Sequence, residues 1–192
     1  MNVTLVVEDD VHMHAIRKII SANAPDICIT RVLGKCGNVY IKNNIRAFNE
    51  AARFIQYIIL TDLDDIECPP TFIENWIPFK KSPSLLFSIA VREAESWLLA
   101  DRKSFADFFG ISKARITKDP ESINDIKQYI VSLVQHSKKR TIREGLLPKG
   151  TARVGILYNA LLEQYIVSSW NTYEAAISSK SLNRFIEKIK CL

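Results

Sequence analysis

The stretches TLVVEDD (Thr4–Asp10) and YIILTDLDD (Tyr57–Asp65) share one design: an apolar run that stops abruptly at carboxylates. A short continuous apolar run bounded by polar residues reads as a strand buried on both faces. Two such strands, Val3–Val7 and Tyr57–Leu60, tipped with acid set an electrostatic problem. At about 4 Å and an effective dielectric near 20, each like-charged pair costs about 4 kcal/mol. The acids must either point apart into water or hold a cation.

Outward from these strands, the first half alternates strand and helix signals. Val11–Ala22 predicts a helix with Val11, Ala15, Ile16, Ile19 and Ile20 on one face, closed by Pro25. Ile27–Leu33 reads as the second strand, followed by a loop over Gly34–Asn38 and a helix over Lys42–Arg53. Tyr57–Thr61 is the third strand, and Pro69 and Pro70 open a short helix through Trp76. Leu85–Ala90 is the fourth strand and Glu93–Leu99 its following helix. This order predicts an α/β fold with a central, mainly parallel, four-stranded sheet flanked by helices. The working groups of such sheets gather beyond the carboxyl ends of the strands, where Glu8, Asp62, Asp64 and Glu93 fall.

After Asp101 the strand signals cease. Helices are expected over Ser104–Phe109, Glu121–His136, Val154–Ser169 and Ser181–Lys190, the last with Leu182, Phe185, Ile186 and Ile189 inward. The chain therefore divides into an α/β domain, residues 1–101, and a C-terminal helical extension, residues 102–192, packed on it as one unit. Charge divides in the same way. The first 100 residues carry 10 Lys and Arg against 12 Asp and Glu, the remainder 16 against 9. An acidic half joined to a basic one suits a metal-dependent enzyme acting on a polyanion, or equally a solvated basic surface.

At 192 residues, 47% hydrophobic and 24% charged, the composition is that of a globular protein. No apolar run approaches the roughly 18 residues of a membrane span, and the acidic start lacks a basic leader. Cys28, Cys36, Cys68 and Cys191 form no CxxC pair, which argues against zinc and for reduced thiols in the cytoplasm. GKCGN (Gly34–Asn38) is not a Walker loop, so nucleotide hydrolysis is not expected.

In extended backbone, residues i and i+2 point the same way, so Asp62 and Asp64 can grip one hard cation, Mg²⁺ or Mn²⁺. In a regular helix Glu93 and Glu95 diverge by about 200°. Glu93 is then the one expected to face the site, with Glu95 pairing with Arg92 on the surface. Asp9 and Asp10 fit the start of a helix, favoured by its dipole. Asp9, Asp65 and His12 are accessory candidates, His12 as a phosphate contact; His12 and His14 share no helix face. Lys138, Lys139, Arg140, Arg143, Lys149 and Arg153 form the densest cation patch, either a solvated loop or a phosphate clamp for nucleic acid. Trp97, Trp170 and Tyr158 sit in apolar stretches and read as core.

Two family resemblances follow from these motifs. LVVEDD resembles the start of bacterial receiver domains, with Asp62 as phosphoacceptor, but Asp62 runs on as LDDIECPP, and neither a Ser/Thr-ended fourth strand nor a lysine-ended fifth strand is evident. Glu8 with Asp62-Leu63-Asp64 resembles the Glu…Asp-x-Asp signature of the TOPRIM fold. VREAESWLLAD (Val91–Asp101) is similar to a segment of small bacterial TOPRIM-like proteins related to the TOPRIM domains of OLD-family nucleases. SKKRTIREGLLPKG (Ser137–Gly150), VGILYN (Val154–Asn159), Trp170 with Ala175, and SLNR (Ser181–Arg184) match that family in order, although GKCGN is a poorer glycine loop than it would carry. The resemblance implies a TOPRIM-like Rossmannoid whose Glu8, Asp62 and Asp64 bind metal and move protons, with Glu93 and Glu95 as further acids. It implies a nuclease acting on nucleic acid in a bacterial defence or mobile-element module, sometimes beside an ATPase partner; DNA is expected rather than RNA, and a homo-oligomer is a further partner expectation. The alternatives are a nucleic-acid- or partner-binding module without turnover, and a receiver-like phosphoacceptor.

Overall fold

In the computed structural model, which describes residues 1–63 and 69–192, the first apolar run is β1 (Asn2–Val7), an inner strand of the sheet. It pairs in parallel with β2 (Cys28–Gly34) on one side and β3 (Gln56–Asp62) on the other. β3 pairs in parallel with β4 (Leu85–Ala90), giving the order β2-β1-β3-β4. The expected four-stranded parallel sheet is present. Strand periodicity assigns the two faces. Val3, Leu5 and Val7 join one apolar cluster with Ile58 and Leu60, while Val6 joins the other with Tyr57 and Ile59.

α1 (Asp10–Asn23) covers the first face, and α2 (Gly37–Ala51) and α3 (Pro69–Trp76) cover the second. Chain handedness explains that division. The chain steps from β1 outward to β2, then back past β1 to β3, and right-handed crossovers in opposite directions place their helices on opposite faces. Winding therefore reverses between β1 and β3, and in such sheets ligand sites form at the carboxyl ends of that strand pair.

The turn after β2 is folded onto β1 rather than reaching outward. Lys35 N–H donates to Val7 O at 2.8 Å and Gly37 N–H to Glu8 O at 3.1 Å. Gly34 has φ +92°, and a Cβ there would lie 2.2 Å from Val7 O. Because Gly37 already starts the helix, α2 begins five residues before the expected Lys42.

The remaining helices are α4 (Ala94–Ala100), α5 (Arg102–Phe109), α6 (Ile126–Val134), α7 (Arg140–Leu146), α8 (Tyr158–Ser168), α9 (Thr172–Ser178) and α10 (Lys180–Lys190). Their apolar faces enter the same cluster as β1 and α1. Two of their starts differ markedly from expectation for local reasons. The helix expected from Glu121 starts at Ile126, because Asp125 caps it by accepting from Gln128 N–H at 3.0 Å. The one expected from Val154 starts at Tyr158, after Gly155 has packed against the end of α7 with N–H to Leu146 O at 2.8 Å. The basic stretch 137–150 contains helix α7 rather than loop alone. Asn171 caps the unanticipated α9 by accepting from Tyr173 and Glu174 N–H.

Trp97 is fully buried, as expected, and stacks on Phe185 of α10 with ring centres 5.4 Å apart. Its indole N–H donates to Ser181 Oγ at 2.6 Å, and that hydroxyl donates to Glu121 Oε1 at 2.7 Å. The same carboxylate oxygen takes Ser179 Oγ and Ser181 N–H, which fastens the start of α10 against α4. No helix among the described residues is long and apolar enough to cross a membrane.

Replacing Gly34 by Ala should lower stability by about 2 kcal/mol or more, since the methyl meets a backbone carbonyl and the residue must keep a left-handed conformation. Urea unfolding with an unchanged m-value and a lowered midpoint is the expected result.

Candidate metal centre

The two acid-tipped strands meet. Glu8 follows β1 directly, and its Oε1 accepts from Asp62 N–H at 2.8 Å and from the Thr61 hydroxyl. Asp62 closes β3, and its Oδ1 accepts from His12 Nε2 at 2.9 Å and from Ala94 N–H at 2.9 Å. One oxygen of each carboxylate is thus anchored by the fold. No hydrogen bond from the described residues falls on Glu8 Oε2 or Asp62 Oδ2.

Asp9 begins α1 as its N-cap, accepting from His12 N–H at 3.0 Å, and its Oδ1 also meets His12 Nδ1 at 2.7 Å. His12 is 1% exposed, so its ring is clamped between Asp9 and Asp62 rather than presented to a phosphate. Burial disfavours charge on the imidazole, but the adjacent Asp62 and Asp9 outweigh it and hold the pKa well above the usual value. Burial also works against Asp9, yet His12, with help from Lys127, brings that carboxyl down to about 2. Glu8 is shifted up, first by burial and then by the charge of Asp62.

β4 delivers the remaining acids through a kink. Arg92 takes φ +62°, a conformation disfavoured by about 1 kcal/mol or more outside glycine. Glu93 then stands at the N-cap of α4 in extended backbone, φ −143° and ψ 160°. The 200° divergence of two helical positions therefore does not apply, and Glu93 and Glu95 converge with Asp62, ligand oxygens within 4.8 Å of one another. Of the two readings of Glu95, a further acid of the site or a surface carboxylate paired with Arg92, the second does not hold: Glu95 is 2% exposed. Its ionisation moves up to about 7, chiefly through burial, with Asp62 and Glu93 adding and Lys127 opposing.

Lys127, in the first turn of α6, pairs with Glu93 and lies 3.5 Å from Glu95 Oε1. Sequence reasoning did not single it out. It lies 34 positions from Glu93, and no motif spacing links them. Asp9-x-x-His12, by contrast, has the spacing of an N-terminal cap.

Five described carboxylates, from Glu8, Asp9, Asp62, Glu93 and Glu95, thus face two cations, His12 and Lys127. Among the described residues, two groups could hold a metal ion: Glu8, His12 and Asp62, and Asp62, Glu93 and Glu95. An oxygen-dominated donor set with one unanchored oxygen on each strand-tip acid fits a hard cation. Asp64 and Asp65 lie outside the described residues.

The cation patch resolves into separate roles. Lys139 Nζ donates to the Asp107 and Phe108 carbonyls at 3.0 and 2.7 Å, closing the end of α5. Arg143 donates to Ser137 O, Arg140 pairs with Glu144 at 2.6 Å, and Arg153 with Asp125 at 2.6 Å. Lys138 and Lys149 are exposed and have no ion pair among the described residues. Trp170 and Tyr158 are buried, as expected.

Comparison with protein-family models, with curated proteins and with solved structures finds no match for the chain.

Without divalent metal, stability should fall as pH rises from about 4.5 to about 7. The folded chain keeps Glu95 protonated across that window, whereas the unfolded chain has released the proton near 4.5. Glu95→Gln should flatten this slope and raise stability at pH 8 by on the order of 1 kcal/mol. Urea titrations in chelator across that range would read both effects; an unchanged slope would contradict them.

Proposed function

We propose that the chain is a Mg²⁺- or Mn²⁺-dependent phosphodiesterase of TOPRIM type that cleaves or rearranges nucleic acid. One observation carries this reading: Glu8 and Asp62, from the tips of adjacent parallel strands, meet where the winding of the sheet reverses, each with one oxygen anchored. Glu8 and Asp62 would hold the ion, and the Asp-x-Asp spacing of the sequence makes Asp64 the expected third ligand. A bound ion there supplies polarisation of the scissile phosphate and stabilisation of the leaving oxygen. The chain's own groups do the rest. His12 fixes the rotamer of Asp62, and Glu8, shifted up from the usual carboxylate value by burial and by Asp62, would be the group that moves a proton. Lys138 and Lys149 would contact the backbone of the nucleic acid.

The receiver reading is disfavoured because the described chain after β4 is helical, leaving no fifth strand to present a lysine. The binding-module reading draws support from the two internal cations, which already neutralise part of the acid cluster.

Asp62→Asn and Glu8→Gln should each reduce Mn²⁺-supported nicking of supercoiled DNA by at least about a hundredfold while melting cooperatively. Full activity in both would end the assignment, and metal binding without nicking by the wild type would select the binding module. Lys138→Glu and Lys149→Glu should weaken DNA binding and lower its log–log salt slope by about one per residue, read by fluorescence anisotropy across salt.

A further inference from the structure

Three features of the acid cluster are not used by the reading above: the placement of Lys127, the second acidic group, and an orphaned hydroxyl. Lys127 stands in the first turn of α6, where the helix dipole disfavours a cation. Its position serves the acids, not the helix. Asp125 fixes the start of α6, and the Lys127 ammonium then meets Glu93 and comes within 3.5 Å of Glu95.

We propose that Lys127 is the built-in cation of the Asp62–Glu93–Glu95 group, so that the chain takes one divalent ion where the carboxylates alone would take two. This rests on the reading that Glu8 and Asp62 hold an ion. The two acidic groups share Asp62, so they define two neighbouring cation positions. At the first, Glu8 Oε2 and Asp62 Oδ2 take no hydrogen bond from the described residues. At the second, the ammonium lies against the oxygens that an ion would need, and a divalent ion sharing them would meet direct repulsion.

A second, independent observation is a buried hydroxyl left without a partner among the described residues and acted on by the same glutamates. The Tyr158 hydroxyl is buried, in a residue 2% exposed, and has no hydrogen-bond partner among the described residues. Of the charged groups around it, Glu95 and Glu93 act on it most strongly. A buried hydroxyl without a partner is uncommon in a native core. We take it as a partner for an oxygen in the hydration shell of an ion, once the ammonium no longer occupies the place.

Counting Mn²⁺ bound per folded chain, by calorimetry and by the electron paramagnetic resonance of free Mn²⁺, tests the proposal. The wild type and Lys127→Arg should bind one ion and Lys127→Met two. Adding Glu95→Gln to Lys127→Met should return the count to one, while Glu95→Gln alone leaves it at one. Two ions on the wild type, or one on a folded Lys127→Met chain, would overturn the proposal and leave the metal-dependent function standing. No ion on the wild type would overturn both. Should Lys127→Met fail to melt cooperatively, Lys127→Gln replaces it, and the wild-type count still decides.

Discussion

The hydrogen bonds between the Glu8 carboxylate and the end of β3 hold the candidate centre together. Glu8 Oε1 takes the Asp62 N–H and the Thr61 hydroxyl, so the side chain that ends one strand continues the pairing with the next after the ladder itself has stopped at Val7 and Leu60. Such an arrangement requires the two strands to be neighbours and parallel, with their connections leaving in opposite directions. The order β2-β1-β3-β4 meets that requirement at β1 and β3 alone. The Gly34 turn, folded onto the Val7 carbonyl, braces the same strand end from the other side. Local backbone, sheet order and site geometry are therefore one constraint.

Around that contact the chain handles acid repulsion in two ways. It supplies counter-charge from within, His12 between Asp9 and Asp62 and Lys127 between Glu93 and Glu95. It also protonates in part, since Glu95 is buried enough to ionise only near 7. Both leave the cluster acidic, with more carboxylates than cations among the described residues. A purely structural ion-pair network would be expected to anchor both oxygens of each buried carboxylate. Here Glu8 and Asp62 each have one oxygen anchored by the described residues and the other not.

What was legible in the sequence divides along physical lines. The strands were visible because a doubly covered sheet needs uninterrupted apolar runs, and the convergence of Glu8 and Asp62 followed from strands that end in acid. α10 was visible because one face carries Leu182, Phe185, Ile186 and Ile189. Glu95 was misplaced because regular helix geometry was applied across a junction that Arg92 bends and where Glu93 is still extended. The starts of α6 and α8 depend on a side-chain cap and a close glycine contact, which leave little trace in hydrophobic periodicity. Lys127 could not be found from spacing, since its pairing with Glu93 exists only after α6 docks on α4.

That docking alters the meaning of the basic second half. Its excess of lysine and arginine suggested a surface for polyanions, yet several of these residues make contacts within their own chain. Lys127 serves the acids, Lys139 closes α5, Arg143 binds a carbonyl, and Arg140 and Arg153 are paired with acids of their own half. The helical half is thus a structural component of the candidate centre. It contributes an ammonium to a cluster begun by the sheet, and it holds α4 in place through the Trp97–Ser181–Glu121 chain. Net charge counted along the sequence overstates what is left for a nucleic acid, because a cation already paired within the fold releases few counterions when a phosphate arrives. Within the patch, Lys138 and Lys149 are the exposed cations with no ion pair among the described residues, and they are the first candidates for contact with a polyanion.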